Sequence, residues 1–268
     1  MTILLDADSI IYGTCFALES EDEQLSFLQD AGDPTYSISE DELYKMLDKS
    51  INDVKEAFEI ELALTGHNAP VSVEVHLTCG QGKFKCKHGV ENFRYANPLG
   101  YKQNRKNMRT PAGFDEAWIY LVNQHNAQLA VGMEADDVVV YKKTAFPDDY
   151  MIAAIDKDIL KQCEGKHYDF RKQLWVTTTA EEALWYKYYQ CICGDSIDGY
   201  KGIPRYGDAK ACKLLGQPGD LSEKEMWEVV VKTGRRAGVD KDYLINTMRL
   251  CCMHQFNGKE IKLWEEPK

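Results

Sequence analysis

Two short apolar runs that each end directly in an Asp-x-Asp pair constrain the fold of this chain more than any other feature. TILL runs into Asp6 and Asp8, and MIAAI runs into Asp156 and Asp158. Both runs predict buried strands, and the helical patterns between them imply a mostly parallel sheet with right-handed crossovers. Ligand sites on such sheets lie beyond the carboxyl ends of the strands, which is where both Asp pairs fall.

The remaining pattern supports an α/β fold class. PVSVEVHLT at 70–78 is rich in β-branched residues and predicts a further strand. A helix is predicted over 39–64 with Ser39 as its N-cap, and another begins after the capping-box pair Thr179 and Glu182. HYDFR and KQLWVTT predict a hairpin, and the terminal GKEIKLW predicts a strand. Further helices are predicted over about 114–129, 222–237 and 240–256.

The chain has 268 residues, enough for one large domain or two small ones, and 44% of them are hydrophobic. No apolar run approaches the roughly 20 residues of a membrane span, and MTILLDAD lacks the basic region of a secretory signal. Nine cysteines without CxxC spacing predict reduced thiols in a cytosolic protein. An alternative with unusual spacing is a zinc site built from His76, Cys79, Cys86 and His88.

The charge of the chain is distributed unevenly. The net charge of −11 argues against a nucleic-acid partner, but residues 80–110 hold eight basic residues and one acidic residue. Local charge sets the attraction to a phosphate backbone, and interleaved aromatic residues suit the stacking of single-stranded bases. A solvated loop is the alternative explanation of this segment. The basic residues are Lys83, Lys85, Lys87, Arg94, Lys102, Arg105, Lys106 and Arg109.

Four groups of acidic residues indicate a bound cation when they are considered together, although none of them does so alone. Asp and Glu favour helix N-termini and turns for local reasons, so each grouping has a purely structural explanation. Together they point to a cation, because closely packed carboxylates repel one another unless a cation intervenes. Mg²⁺ takes oxygen ligands, no His or Cys recurs among the groupings, and two such ions suit phosphoryl transfer. The groupings are Asp6/Asp8, Glu134/Asp136/Asp137, Asp156/Asp158 and Asp195/Asp198.

A rival hypothesis uses only part of this set. ILLDADS is similar to the first motif of haloacid-dehalogenase-type phosphatases, in which Asp6 would be the nucleophile and Asp8 the acid/base. That hypothesis leaves Glu134, Asp136 and Asp137 without a role, together with the basic segment. The absence of GxxxxGK[S/T] disfavours a P-loop NTPase.

The motifs GMEADD, IAAIDKD and GDSIDGYKGIPRYGDAKA, in that order, resemble those of the 5′-nuclease or flap-endonuclease superfamily. The likeness is nearest to phage-encoded 5′→3′ exonucleases of the podophage replication type, and it runs from Asp6 to about residue 216. It implies a PIN-like core with a mostly parallel central sheet flanked by helices, and two bound Mg²⁺ or Mn²⁺ ions. The metal ligands that it implies are Asp6, Glu134, Asp136, Asp137, Asp156, Asp158, Asp195 and Asp198.

The resemblance also assigns two nucleic-acid-binding segments. YKQNR matches the family's mobile basic arch at about 80–110, so Tyr101, Lys102 and Arg105 are expected to act at the scissile phosphate. GYKGIPRYGDAK is similar to the helix–three-turn–helix, which holds duplex through backbone N–H groups and often binds K⁺. The residues expected to contact DNA are Lys83, Lys85, Arg94, Arg109, Lys201, Gly202, Arg205, Gly207 and Lys210.

These features predict a nuclease core over 1–193 and a C-terminal helical, duplex-binding part over 194–268. The expected activity is 5′→3′ exonuclease and flap endonuclease on DNA, and on RNA in RNA–DNA hybrid, in the cytoplasm of a bacterial host. No membrane partner is expected, and the oligomeric state is left open. Cys79 or Gly80 stands where the family usually has a further Asp. A thiol role for Cys79 and a catalytically degenerate, DNA-binding relative are the hypotheses that this departure raises.

Overall fold

The computed structural model describes residues 1–21, 35–67, 70–80, 90–105 and 107–268. Its strands are β1 (Thr2–Asp6), β2 (Ser20–Glu21), β3 (Tyr36–Ser37), β4 (Ser72–Thr78), β5 (Gln128–Ala130), β6 (Tyr150–Ala154), β7 (Gly165–Asp169), β8 (Leu174–Thr178), β9 (Gly194–Asp195) and β10 (Tyr200–Lys201). Its α-helices are α1 (Asp8–Leu18), α2 (Glu40–Leu64), α3 (Phe114–Gln124), α4 (Ala135–Ala145), α5 (Lys157–Gln162), α6 (Ala180–Cys193), α7 (Asp208–Leu215), α8 (Glu223–Ala237) and α9 (Lys241–Cys251).

The central sheet has the strand order β5-β4-β1-β6-β7-β8. β1 pairs in parallel with both β4 and β6, and β7 pairs antiparallel with β8 as the predicted hairpin. The predicted α/β fold with a mostly parallel sheet is therefore confirmed. Because β4 and β6 flank β1, the chain leaves all three strands at one edge, and the acidic residues at the ends of β1 and β6 meet there.

Alternating side chains of β1 serve two layers of helices. Ile3 and Leu5 pack in one core with buried residues of α1, α2 and α3, whereas Leu4 packs in another with α4 and α5. A third core joins α6, α7, α8 and α9, with Tyr188, Met226 and Leu244 among its buried members. The proposed division at residues 193 and 194 stays a prediction.

Most predicted helix starts are confirmed by their caps. The Ser39 hydroxyl accepts a hydrogen bond from the Glu42 amide, and Thr179 and Glu182 form a complete capping box. The helix predicted over 114–129 is too long, because Asn126 adopts a left-handed φ of 51° and ends it before β5. The terminal strand is also wrong, since the described residues there form only an isolated bridge between Phe256 and Ile261.

The described part of the basic segment contains two 3₁₀ turns, Phe93–Ala96 and Gln103–Arg105. The mobility expected of this segment stays a prediction. None of the helices that the structure describes is both long and apolar enough to cross a membrane.

Candidate metal and nucleic-acid site

A cleft of about 590 Å³ opens at the carboxyl edge of the central sheet. It lies where β1 and β6 end and where α1, α4 and α5 begin, and the turn between β9 and β10 closes one side. Among the described residues its acidic lining consists of Asp6, Asp8, Glu134, Asp136, Asp156, Asp158, Asp195 and Asp198. The structure thus brings seven of the eight predicted metal ligands together with Asp8, and it leaves Asp137 out.

Local hydrogen bonds hold these carboxylates at helix starts and turns. Asp156 caps α5 and accepts a 2.7 Å bond from the Asp158 amide. Asp195 accepts a 2.7 Å bond from the Ile197 amide, which fixes the turn that carries Asp198. These bonds are the local reasons for acidic residues at such positions, and they also direct the carboxyl groups into one cleft.

The carboxyl groups of the cleft raise one another's pKa, because each negative charge disfavours ionisation of its neighbours. Burial raises the pKa of Asp6 well above its usual value, and the charges of Asp8 and Asp156 raise it further. Burial and the charge of Glu134 likewise raise the pKa of Asp136. The pKa of Asp158 rises to about 8 through burial and the charges of Asp156 and Asp195. A cation would relieve this repulsion.

The donors fit a hard divalent cation by their chemistry, because they are carboxylate oxygens, which Mg²⁺ and Mn²⁺ prefer. They line one cleft without closing on one point: in the described parts of the chain, no three Asp, Glu, His or Cys side chains converge closely enough to hold an ion. Two lysines contact the carboxylates directly. Lys102 contacts Glu134 and lies 3.7 Å from Asp198, and the Lys157 ammonium lies 2.6 Å from Asp195.

Asp137 and Arg94, predicted as a metal ligand and a DNA contact, pair with each other in the structure instead of lining the cleft. Asp137 is fully buried and accepts a bidentate salt bridge from Arg94, with distances of 2.6 and 2.7 Å. Arg94 is only 2% exposed, so this guanidinium faces a carboxylate of the protein interior rather than a DNA phosphate. The pair does serve the cleft, because Asp137 also accepts a 3.1 Å bond from the Glu134 amide.

Asp8 begins α1, and its carboxylate reaches the end of β4, beside the position where the family that the sequence resembles usually has a further Asp. Its carboxylate accepts bonds of 3.1 and 3.3 Å from the Thr78 amide. Burial raises its pKa to about 6, although the hydrogen bonds from Thr78 oppose the shift. Sequence reasoning placed Asp8 just outside the ligand set, whereas the structure places it in the cleft wall.

Cys79 is disulfide-bonded, whereas Cys15, Cys163, Cys191, Cys193, Cys212, Cys251 and Cys252 carry free thiols. The prediction of reduced thiols is therefore wrong for Cys79. A sulfur in a disulfide cannot act as a thiolate, which removes the support for a thiol at the metal site and for the alternative zinc site. Cys86 and His88 of that alternative lie outside the described residues.

The three residues predicted to act at the scissile phosphate all contact cleft carboxylates. The Tyr101 hydroxyl donates to Glu134 at 2.5 Å and to Asp198 at 3.3 Å. The Arg105 guanidinium donates to Asp198 at 3.1 Å. Burial raises the pKa of Glu134, but the charges of Lys102 and Arg94 outweigh that effect and lower it. Tyr101 is itself buried, so it positions Glu134 rather than facing solvent.

The backbone of Lys102 is strained. Its φ of 50° lies in the left-handed region, which non-glycine residues rarely adopt. A 2.8 Å bond from its amide to the Asp198 carbonyl holds it there. Strain of this kind persists where surrounding contacts enforce it, often at functional sites.

The other predicted DNA contacts of the basic segment are distributed differently. Arg109 pairs with Glu19 and lies over the rings of Phe16 and Tyr36, at 5.2 and 4.1 Å from their centroids. Lys83 and Lys85 lie outside the described residues. Arg94, Lys102, Arg105 and Arg109 therefore each have a carboxylate partner, so the positive charge counted in the sequence is largely compensated there.

The predicted duplex-binding turn joins α6 to α7. Lys201 and Arg205 are exposed on it, and Lys210, which is exposed in the first turn of α7, donates to the Arg205 carbonyl at 2.8 Å. Gly207 is exposed with open space around it, as an approaching phosphate requires. Gly202 is buried: an added Cβ would lie 2.2 Å from the Ile192 carbonyl oxygen, so packing explains this glycine better than phosphate contact does. The helix–three-turn–helix assignment stays a prediction.

Two sets of residues at the cleft were missed by sequence reasoning. Lys157 and Arg171 line it, and Lys157 was recognisable because it stands between Asp156 and Asp158. The second set is a buried amide chain. Gln190 donates to Asp158 at 2.6 Å, and Gln162 donates to Gln190 at 2.6 Å.

The amide chain continues to the C-terminal part of the molecule. Gln162 also donates to the Cys251 carbonyl at 2.7 Å and accepts a 3.2 Å bond from the Met253 amide. Each buried amide group thus has a partner, which fixes the direction of the chain towards Asp158. No sequence signal marks glutamines that bond across 28 and 89 residues.

No protein-family model matches the chain. It is 28% identical over 208 residues to the exonuclease of Escherichia phage T7, which covers 61% of this chain and 67% of that relative. It is 29% identical over 209 residues to the exodeoxyribonuclease of Enterobacteria phage T3, which covers 61% and 66%. The chain thus matches about two thirds of the length of these relatives. Its fold is similar to that of the T5 D15 protein co-crystallized with metal ions, with a TM-score of 0.53, 12% identity, and coverage of 94% and 89%.

Proposed function

We propose, from its similarity to phage exonucleases and the likeness of its fold to that of the T5 D15 protein, that this chain is a metal-dependent 5′→3′ exonuclease with flap-endonuclease activity. One observation carries the proposal. The segment with Tyr101, Lys102 and Arg105 contacts Glu134 and Asp198, which belong to the carboxylate cleft. Positive groups for a phosphate and ligands for a cation are therefore in direct contact, an arrangement suited to phosphodiester hydrolysis.

The proposed substrate is DNA with a free 5′ end, as a flap, a nick or a duplex with a 5′ overhang, and also RNA in RNA–DNA hybrid. Lys201, Arg205 and Lys210 would hold the duplex through its phosphates, and the backbone around Gly207 would approach the strand closely. Such contacts read no bases, so cleavage would depend on strand structure rather than sequence. K⁺ bound by carbonyls of the same turn belongs to the proposal, as does primer removal during phage replication in the host cytoplasm.

Two Mg²⁺ or Mn²⁺ ions, when bound, would supply an activated water and stabilise the leaving oxygen. The oxygen-rich lining and the raised pKa of Asp6, Asp136 and Asp158 support this assignment. We assign Asp137 to the salt bridge with Arg94 instead of the ligand set. The residues that would hold the ions are Asp6, Glu134, Asp136, Asp156, Asp158, Asp195 and Asp198, with Asp8 beside them.

Lys102 and Arg105 would bind the scissile phosphate and offset its growing negative charge during hydrolysis. Both cations lie against Glu134 or Asp198 here, so binding of substrate would move them from a carboxylate to a phosphate oxygen. Tyr101 would keep Glu134 in place during this exchange, because its hydroxyl is buried and bonded to that carboxylate.

A 5′-labelled duplex with a 5′ overhang tests the proposal. The protein should release short 5′ products in Mg²⁺ or Mn²⁺ and none in EDTA. Asp156→Asn should abolish cleavage and keep DNA binding, whereas Asp53→Asn on the exposed face of α2 should cleave normally. Cleavage that survives EDTA would refute the metal-dependent mechanism. Intact substrate that stays bound in Mg²⁺ and Mn²⁺ would favour the degenerate, DNA-binding relative instead.

The Lys102→Ala variant tests whether Lys102 acts on the chemical step or only on the affinity for DNA. Single-turnover cleavage should slow by more than the variant's DNA affinity falls, because the ammonium acts on charge that develops during the reaction. Equal losses in rate and affinity would make Lys102 an ordinary phosphate contact. Hydrolysis of p-nitrophenyl phosphate with a phospho-aspartate at Asp6 would instead support the phosphatase hypothesis.

A further inference from the structure

A second cavity, of about 430 Å³, lies beside the carboxylate cleft and shares Lys157 with it. Its walls come from the sides of α5, α6 and α7. Its volume lies within the range of pockets that hold small aromatic ligands. Lys157 and Gln190 also contact carboxylates of the cleft, and the aromatic residues that line the cavity have no role assigned above.

One wall of this cavity is a ladder of aromatic rings on α6. Trp185 and Tyr189 stack with centroids 5.1 Å apart and planes 17° apart, and Tyr189 stacks on Tyr186 at 5.5 Å and 22°. Hydrogen bonds fix two of the rings. The Trp185 indole donates to the Gly216 carbonyl at 3.0 Å, and the Tyr189 hydroxyl donates to Asp208 at 2.8 Å. Trp185 and Tyr189 remain half-buried, so they are set in orientation before any ligand arrives.

The facing wall is cationic. Lys157 and Lys161 are one helical turn apart on α5, and both line the cavity. The Lys161 ammonium lies 4.8 Å from the centroid of the Tyr186 ring, and Lys157 bonds Asp195 at the boundary with the cleft. Asp208 is the one acidic residue among the described lining, and it is bonded to the Tyr189 hydroxyl. The cavity therefore combines flat aromatic faces with two lysines, the combination that suits a base and its adjoining phosphate.

We propose that this cavity binds one unpaired nucleobase of the strand whose phosphate enters the carboxylate cleft. The base would stack on the Trp185–Tyr189 pair, and Lys161 would contact the phosphate next to it. Lys157, which lines both the cavity and the cleft, would lie where the strand passes from one to the other. Every base presents a ring face, so the site would hold the strand without selecting sequence. The inference rests on the proposed nuclease function.

The test uses the full-length protein and 5′-overhang duplexes in which 2-aminopurine replaces one base at successive positions around the cleavage site. Binding is measured in Ca²⁺, and gel analysis verifies that the DNA stays intact. At one of these positions, binding to the wild-type protein should quench the fluorescence of 2-aminopurine, because the base stacks on an aromatic ring. Tyr189→Leu should abolish that quenching and weaken binding by roughly five-fold or more. Tyr189→Phe should retain both, since the ring remains.

Tyr44→Leu is the matched control, because Tyr44 stacks on Tyr120 at 4.2 Å in a pair that lies outside this cavity. Circular dichroism verifies that each variant is folded, and Lys161→Ala gives a second variant that leaves the rings in place and should weaken binding. No quenched position, or quenching unchanged in Tyr189→Leu, would overturn the inference while Mg²⁺-dependent cleavage remains intact. A wild-type protein that neither binds nor cleaves would overturn the proposed function as well.

Discussion

Arg94 and Asp137 illustrate how a single pair can support a site without taking part in its chemistry. Both side chains are buried, and each satisfies the charge of the other through two bonds of 2.6 and 2.7 Å. A buried pair of this kind gains little net stability over an apolar pair, but it is strongly destabilising when broken. Its use here is positional, because Asp137 also holds the backbone at Glu134.

Arg94→Met should lower the free energy of unfolding by about 3–5 kcal/mol, because Asp137 would keep a buried, unpaired charge. Lys49→Met, which breaks the exposed pair with Asp53, should cost about 0.5 kcal/mol or less. Urea denaturation of both variants measures the difference. Adding Asp137→Leu to Arg94→Met should restore much of the loss, and no recovery in the double variant would contradict this account.

Asp158 should make the stability of the metal-free protein fall with rising pH. Its pKa is about 8 in the folded protein and near 3.8 in the unfolded chain, so unfolding releases a proton between these values. Raising the pH from about 4 to about 8 therefore favours unfolding through this group. In EDTA, Asp158→Asn should be more stable than wild type at pH 8, and the gap should shrink towards pH 5.

Urea denaturation at pH 5, 6.5 and 8 measures that gap, with Asp53→Asn as an exposed control. A gap that stays constant, or that widens as the pH falls, would show that Asp158 is not protonated in the folded protein. Mg²⁺ should reverse the order at pH 8, since the ion stabilises only the chain that retains the carboxylate.

The sequence predicted the cleft residues that directly follow a recognisable strand pattern. It did not predict roles that depend on contacts between residues far apart in the chain. Asp6 and Asp156 were predictable because each follows an apolar run, and the parallel sheet brings strand ends together. Asp137 could not be told apart from Glu134 and Asp136 in the sequence, and only its burial against Arg94 distinguishes it. Gln190 carries no local signal, because its role depends on Asp158, 32 residues away.

At the scale of elements, the turn between α6 and α7 depends on one close contact between backbones. Gly202 lies against Gly194 and Ile192, where the short strands β9 and β10 meet. The same turn carries Asp195 and Asp198 into the cleft, so its packing positions two proposed ligands. The frequent glycines in the sequence predicted this turn. They could not show whether a given glycine is required for packing or allows a ligand to approach the backbone.

Gly202→Ala should be strongly destabilising and Gly207→Ala nearly neutral. A Cβ at Gly202 would lie 2.2 Å from a carbonyl oxygen and 2.3 Å from the Gly194 nitrogen, and backbone atoms cannot move aside cheaply. The expected loss in the free energy of unfolding is about 2 kcal/mol or more. A Cβ added at Gly207 would meet no atom beyond its chain neighbours within 4 Å, so this variant should fold normally. Thermal unfolding compares the two, and equal melting temperatures would refute the packing role.

Strand and helix types followed the sequence closely, while their ends did not. The helix over 114–129 matched its pattern but ended at Gln124, because Asn126 turns the chain in a left-handed conformation. The residues after it then joined the sheet edge as β5, pairing with β4. Such an ending is set by a sheet that forms from distant segments, and a local pattern contains no information about it.

At the scale of the whole molecule, negative charge exceeds positive charge, and the basic residues discussed above differ in whether a carboxylate compensates them. The net charge is −11, and the four described basic residues of the segment 90–105 and 107–110 are each paired with a carboxylate. Lys201 and Arg205 are exposed on the turn between α6 and α7. Attraction to DNA should therefore rest heavily on this turn.

Reversing Lys201 and Arg205 to Glu should weaken duplex binding equally for unrelated sequences. The slope of log affinity against log salt should become shallower by about 2, because two phosphate contacts are lost. Lys55→Glu, on α2 away from the turn and the cleft, should leave the slope unchanged. Fluorescence anisotropy at several salt concentrations measures the slopes. An unchanged slope in the double variant would show that the turn does not contact phosphates.

The contacts of residues 251–253 with the cleft have a consequence for the order in which its supporting contacts form during synthesis. Gln162 needs the Cys251 carbonyl and the Met253 amide to complete the amide chain to Asp158, and Arg94 bonds the Cys252 carbonyl beside Asp137. A nascent chain lacks these partners until residues 251–253 have been made and have left the ribosome. The support of Asp158 by the amide chain therefore forms only after that segment has folded against Gln162.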